Sequence, residues 1–356
     1  MINFYLLSII PIVIGSVLWY KNKEIIWKEW LLGSFIAICI SFLFHMILLF
    51  GMTADTETWS GVVYELEYHP EWVEKYTVTE NDSKGNSRSV TKHRTHSPYW
   101  LCFSNFGEIS EEKDITKEKY DEIKKHFGDE IIKEEEFKMG FSSGDPNIYI
   151  TKNKTDYICP VTTKKIFENK IKSSPSVFSY SKVDEKIKVF NYPKNSNFFS
   201  SGRLIGESKK AIDILEFDRL NSYLGPRKKV NLIIVGFNSL DSKLGQFQEA
   251  KWIGGKKNDL VLCYGGESPS KAEWSYVFGW TEKEIVKSNL ESILLNNKID
   301  NSILEKIKNE VIKNYEIKDW DKFDYISVEP PLFSYFIFIF IMIAFQVFFY
   351  IKAHNN

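Results

Sequence analysis

The residue types best suited to metal chemistry gather around His93-Arg94-Thr95-His96, with His69 before this run and Cys102 after it. Imidazole and thiolate are ligands that Zn²⁺ prefers. Side chains alternate along a strand, however, so two residues three apart point to opposite faces. His93 and His96 share an ion only across a bulge or a bend opening at Pro98; otherwise they are ordinary histidines of a hairpin surface. A second string, Gly140-Phe141-Ser142-Ser143-Gly144, matches the G-x-S-x-G pattern of hydrolases. That pattern needs a strand before the serine and a helix after it. Asp145-Pro146 and a strand-like segment follow instead, and the serine reads as a turn residue. Gly254-Gly255-Lys256-Lys257 has the composition of a phosphate cradle, but a P-loop opens a helix and ends in Lys followed by Ser or Thr. This segment closes a helical stripe and leads into a strand, so a Gly-terminated helix with exposed lysines accounts for it.

Cys102, Cys159 and Cys263 lie in the long middle of the chain, and Cys39 lies in an apolar run. In an oxidising compartment two of the three can pair and leave one free. Cys263, inside an apolar strand, is most simply a buried small residue.

The elements that must position these groups are legible in the hydrophobic pattern. Phe4 to Tyr20, Leu31 to Gly51 and Leu332 to Ile351 carry no charged residue. At 1.5 Å per residue such runs cross a bilayer, the first at the short end of the range. Trp19, Tyr20, Trp27, Trp30 and Tyr350 stand near their ends, where amphipathic rings favour the headgroup layer. The first run lacks a basic segment before it and a small-x-small cleavage site after it, so a retained helix is expected over a signal peptide. Lys21, Lys23 and Lys28 mark the first connection as cytoplasmic, because no Lys or Arg follows the second run until Lys75. Residues 53–330 then face outward and the tail with Lys352 returns inside. His45 and Gln346 are polar groups at membrane depth, placed to pair across a helix interface or to bond locally. A formal net charge of -1 argues against the basic footprint of a nucleic-acid binder.

In the outer region, Val62, Tyr64, Leu66 and Tyr68 alternate as a strand within 57–80. Asn81 to Ser89 forms a turn and Arg88 to Tyr99 a returning strand. A charged helix over Thr116–His126 stops at Gly128. Strands are expected at Asn147–Thr151, Tyr157–Val161, Val177–Tyr180 and Lys186–Tyr192, and a helix at Lys164–Lys172. Ala211, Ile214, Leu215, Phe217, Leu220 and Leu224 then give a helical stripe ended by Gly225-Pro226. Val230–Phe237 reads as a buried central strand, Leu240–Ala250 as a helix, Leu260–Tyr264 and Trp274–Trp280 as strands. Two further helices lie around Ile285–Ile293 and Ile303–Val311, an alternation that makes an α/β layer arrangement.

The stretch from about Glu207 to Tyr325, followed directly by an apolar run, resembles a TPM domain, a membrane-tethered α/β/α module of bacterial and plastid envelopes. The likeness rests on Val-Asn-Leu-Ile-Ile-Val at 230–235, Ala250-Lys251-Trp252-Ile253-Gly254, the 256–262 segment and Gly279. Where the family has Asn-Gly before an apolar strand, this chain has Asn258-Asp259. The resemblance places Asp259, Asp241 and Glu267 near strand ends where an open α/β sheet binds ligands; solvated surface carboxylates are the alternative. The whole chain, with His-Pro-Glu-Trp at 69–72, His-Arg-Thr-His at 93–96 and Arg-Lys-Lys-Val-Asn-Leu at 227–232, also resembles three-span membrane proteins of tailed bacteriophages and bacteria.

The expected protein is an α+β membrane protein with four parts. Residues 1–52 hold two transmembrane helices (4–20 and 31–51), 53–200 a β-rich extracytoplasmic domain, 201–330 a TPM-like α/β/α sandwich, and 331–356 a C-terminal transmembrane helix with a short tail. The expected metal ligands are His93, His96, His69 and Asp259, with Ca²⁺ or Zn²⁺ as the ion. The expected role is a membrane-anchored binding or scaffold module of a bacterial inner membrane, possessing a protein partner in the envelope. A phosphate-ester hydrolase, an activity attributed to some TPM-domain proteins, and an accessory subunit of an oligomeric membrane complex are the alternatives.

Overall fold

A computed structural model describes residues 9–21, 27–81, 87–128, 131–133, 148–174, 186–194 and 197–354. The chain opens with helices α1 (Ile9–Lys21) and α2 (Trp27–Thr53), then strands β1 (Ala54–His69), β2 (Trp72–Asn81), β3 (Ser87–His96), β4 (Tyr99–Asn105) and β5 (Ser110–Ile115). Helix α3 (Lys117–Phe127) and strands β6 (Ile131–Lys133), β7 (Ile148–Lys152) and β8 (Pro160–Glu168) follow. Next come β9 (Leu204–Gly206), the single turn α4 (Ser208–Ala211), α5 (Ile214–Lys228), β10 (Asn231–Asn238) and α6 (Lys243–Trp252). The last elements are β11 (Asp259–Gly266), β12 (Trp274–Gly279), α7 (Ile285–Asn296), α8 (Ile303–Asn314) and α9 (Leu332–His354). The described residues fall into two compact units, one from Met1–Thr56, Ile166–Ser181 and Asp319–Asn356, the other from Glu57–Lys165 and Lys182–Lys318.

In the first unit two helices, α2 and Leu332–Phe349 within α9, are long and apolar enough to cross a membrane. They meet through Ala37, Phe338 and Met342, while Phe35, Phe42, Phe50, Phe336, Phe340 and Phe348 are exposed. Close approach is set by Gly33, where an added Cβ would lie 2.8 Å from the Phe349 ring. Helix α2 starts at Trp27, earlier than the uncharged run, and Trp30 Nε1 donates to Ser16 Oγ of α1 at 3.1 Å. The end of α2 is tied into a collar: the Asn169 N–H donates to the Thr53 carbonyl at 2.7 Å and its side-chain amide to Asp55 at 2.9 Å. Trp320 donates to the Glu168 carbonyl at 2.7 Å, and Lys170 pairs with Asp324 at 2.8 Å.

The second unit contains a six-stranded sheet ordered β5-β4-β1-β7-β6, with β8 also pairing β1. Helix α3 covers it, capped by Thr116, whose hydroxyl accepts from the Lys119 N–H, and closed at Gly128. Its Tyr120, Ile123 and Phe127 fall on one helical stripe and bury against Leu66, Cys102 and Val161. Strands β2 and β3 form a separate two-stranded ribbon. The expected returning strand therefore divides at Ser97-Pro98, because proline cannot donate to a ladder: β3 stays in the ribbon and β4 joins β1.

The other sheet is ordered β12-β11-β10-β9, with β9, β10 and β11 parallel and β12 antiparallel. Leu232, Ile234, Leu260 and Leu262 bury against α5, α7 and α8, while Ile233, Val235, Val261 and Cys263 bury on the opposite face with Trp252 of α6. Burial on both faces is why β10 reads as an unbroken apolar run rather than an alternation. Together the elements make an α+β protein.

Three expectations are corrected. Lys164–Lys172 is not a helix: β8 runs to Glu168 and a 3₁₀ turn follows at Ile171–Ser173, since Thr162, Thr163, Ile166 and Phe167 favour an extended backbone. Lys186–Tyr192 is not a strand, because Gln248 takes the backbone of Phe190 instead, accepting from its N–H at 2.8 Å and donating to its carbonyl at 3.0 Å. Helix α5 continues through Gly225 and Pro226 to Lys228, with Lys229 as its left-handed cap. Gly225 serves close packing there: an added Cβ would lie 2.7 Å from the Ser60 carbonyl oxygen. The expected strand at Val177–Tyr180 lies outside the described residues.

Candidate functional site

Asp259 is the first residue of β11 and stands opposite Asn231, the first of β10. It therefore sits at the amino end of the parallel strands, whereas open α/β sheets bind ligands beyond the carboxyl ends. Asp241 and Glu267 follow those carboxyl ends. Strands of this length separate the two ends by roughly 25 Å, so the three acidic groups do not converge.

What surrounds Asp259 is a buried polar network. Its carboxylate accepts from Asn231 Nδ2 at 2.7 Å, from the Tyr192 hydroxyl at 2.9 Å and from the Lys256 N–H at 2.7 Å. Burial pushes the Asp259 carboxyl up from its ordinary range, and these three donors pull it back. Asn231 also accepts from Arg203 at 3.2 Å, and Arg203 pairs with Asp218 at 2.9 Å and donates to Ser60. The Arg203 side chain is 0% exposed, so this guanidinium is a buried cross-link and not a ligand-facing group. Nearby, Glu57 is buried and accepts from Trp59 Nε1 at 2.9 Å; burial raises its carboxyl, with Lys257 and Lys165 opposing. The sequence marks Arg203 only as a lone charge ahead of a short apolar strand, and Glu57 as one acid in an alternating run.

The histidines are also dispersed. His96 faces Trp72 across the ribbon, stacks on it at 4.3 Å and bonds Glu74 at 2.9 Å. His93 faces Lys75 and so lies on the other face of the ribbon. His69, at the end of β1, bonds Glu67 at 3.0 Å and stacks on Tyr99 at 4.2 Å. Asp259 belongs to the other sheet. Among the described residues no group of three or more His, Cys, Asp or Glu side chains is arranged to hold a metal ion.

Cys39, Cys102, Cys159 and Cys263 are free thiols. Burial pushes Cys102 up to about 11 and Cys159 up to about 12, well away from thiolate chemistry at neutral pH. Strand β1 runs between them, pairing Leu66 with Cys102 and donating the Val63 N–H to the Cys159 carbonyl. Two interstrand spacings, about 9.5 Å, exceed the roughly 7 Å that a disulfide bridges between Cα atoms. The Gly140–Gly144 string lies outside the described residues.

A groove of about 590 Å³ opens where β1, the β4–β5 turn and the β7–β8 loop meet α5. Tyr64, Tyr157 and Tyr223 line it together with Asn105, Ser222 and Arg227. The turn packs directly on α5 at Gly107, which has φ 95° and would place an added Cβ 2.9 Å from the Pro226 carbonyl oxygen. Asn153 shapes the loop by donating to the Tyr157 carbonyl at 2.6 Å. Ser222 is buried and its hydroxyl has no hydrogen-bond partner among the described residues. The lining residues come from segments more than a hundred residues apart, so nothing in the sequence marks them as a set. This volume lies within the range of small-ligand sites, and the walls mix three tyrosines with Asn105, Asn153, Asp156, Ser222 and Arg227. Comparison with family models, with curated proteins and with solved structures yields no match.

Proposed function

We propose that the chain is a phage-encoded, membrane-anchored extracytoplasmic binding or scaffold module of a bacterial cell envelope, with residues 4–20, α2 and α9 as its spans. The observation that carries the binding role is the groove beside α5, a cleft lined by aromatic and polar side chains. Two helices apolar enough to cross a membrane support the anchoring. The lysines at 21, 23 and 28 support a cytoplasmic first connection, with the second unit outside. The helix–strand order over 207–325 supports the likeness to a TPM-type module.

Two measurements in intact cells test this reading. A membrane-impermeant maleimide is expected to label a cysteine introduced at the exposed Ile285 and not one introduced at Lys28. A photo-crosslinking residue at Tyr223 is expected to capture a discrete envelope component, saturably, while the same residue at Ile285 does not. Labelling at Lys28 alone, or equal crosslinking from both positions, overturns the proposal.

A further inference from the structure

The charges on the groove walls carry the binding reading one step further, and the inference rests on that reading. Asp156, in the β7–β8 loop, and Arg227, in the last turn of α5, line the groove from two different elements. Three basic groups around them are already engaged: Arg219 pairs with Glu216 at 2.7 Å, Lys229 pairs with Glu108, and Lys308 pairs with Glu305. Arg227 and Asp156 form no ion pair among the described residues, either with these groups or with each other.

Arg227 is nevertheless held in place. Its Nη1 donates to the Tyr223 carbonyl at 3.0 Å and its guanidinium lies 3.9 Å over the Tyr223 ring. Its Nε and Nη2 edge has no hydrogen-bond partner among the described residues, and a guanidinium edge is the shape that takes a carboxylate with two parallel hydrogen bonds. Asp156 is held at φ 56°, a left-handed conformation that fixes the loop bearing its carboxylate. The Tyr64 and Tyr157 side chains share this lining with the two charges.

We infer that this groove takes a small zwitterion of amino-acid or dipeptide size, its carboxylate on Arg227, its ammonium on Asp156 and an apolar or aromatic side chain against the tyrosines. About 590 Å³ falls within the roughly 300–1,000 Å³ of small-ligand sites. A purely anionic ligand would be repelled by Asp156, and a purely cationic one by Arg227.

The test is calorimetric titration of the full chain in lipid nanodiscs with glycyl-tyrosine and with its doubly blocked form, N-acetyl-glycyl-tyrosine amide. The free dipeptide is expected to bind and the blocked one to bind at least tenfold more weakly. Arg227→Gln and Asp156→Asn, both at exposed positions, are expected to weaken the free dipeptide at least tenfold while leaving the melting temperature unchanged. Equal binding of the blocked form overturns the zwitterion inference and leaves the groove as a binding site. Absence of binding by either peptide at millimolar concentration also overturns it, and the crosslinking from Tyr223 then decides the broader reading separately.

Discussion

Asn231 and Asp259 face each other across the first rung of the β10–β11 pair, and the Asn231 amide donates to the Asp259 carboxylate at 2.7 Å. The same amide accepts from Arg203 at 3.2 Å, so one neutral side chain links a buried cation to a buried anion. Breaking a buried pair by removing one partner strands the other charge, at a cost of about 3–5 kcal/mol. Arg203→Met is therefore expected to destabilise the chain by that order in a denaturant melt in detergent. A loss below about 1 kcal/mol, the worth of an exposed pair, would contradict the buried geometry.

The donors on Asp259 leave it little capacity to serve as a metal ligand. Asp259→Asn is expected to lower Tm by the same amount with and without EDTA, because the loss is one of hydrogen bonds, about 1–3 kcal/mol. If EDTA lowers Tm in the parent and that drop vanishes in the variant, a metal sits on this carboxylate after all.

Glu57 carries a carboxyl raised by burial. A raised folded pKa means that the folded state holds its proton more tightly than the unfolded chain does. Its ionisation thus erodes stability as pH rises from the ordinary carboxylate range through the raised value, and acidification within that window restores it. Glu57→Gln keeps an oxygen for Trp59 Nε1 and removes the titration. The variant is expected to melt higher than the parent at pH 7 and to lose this contribution to the pH dependence, measured as Tm at half-unit intervals from pH 4 to pH 7.

Gly225 packs the last turn of α5 onto β1, with the Ser60 carbonyl 2.7 Å from where a Cβ would stand. Backbone gives way poorly, so Gly225→Ala is expected to cost about 1–3 kcal/mol by overpacking, although alanine has the higher helix propensity. A stabilised variant would show that the helix can retreat from the strand.

Gln346 in α9 is 2% exposed, and neither its carboxamide oxygen nor its nitrogen has a hydrogen-bond partner among the described residues. Replacing an unsatisfied buried polar group by an apolar one of similar size recovers its desolvation cost. Gln346→Leu is expected to raise the thermal stability of the detergent-solubilised chain, read by the temperature at which it aggregates. A marked fall would reveal a polar partner that the substitution removes.

Local chemistry was enough to read much of this protein from its sequence. Two of the three uncharged runs coincide, among the described residues, with helices long and apolar enough to cross a membrane, since length and apolarity are properties of a contiguous segment. The β-branched run at 230–237 gave a strand buried on both faces, and Thr116 with Gly128 bracketed α3, because capping is decided within a few residues. Divergence of His93 from His96 likewise followed from strand alternation alone. Other features depended on distant partners. Gln248 drew 186–192 out of a sheet, and Ser60 explained why Gly225 lies inside a helix instead of ending it. Register put Asp259 at the amino end of its strand, turning an apparent surface acid into the centre of a buried network. The groove is the extreme case: Tyr64, Asp156 and Arg227 acquire a joint meaning only when β1, a loop and α5 converge, and no local rule of propensity or spacing encodes that convergence.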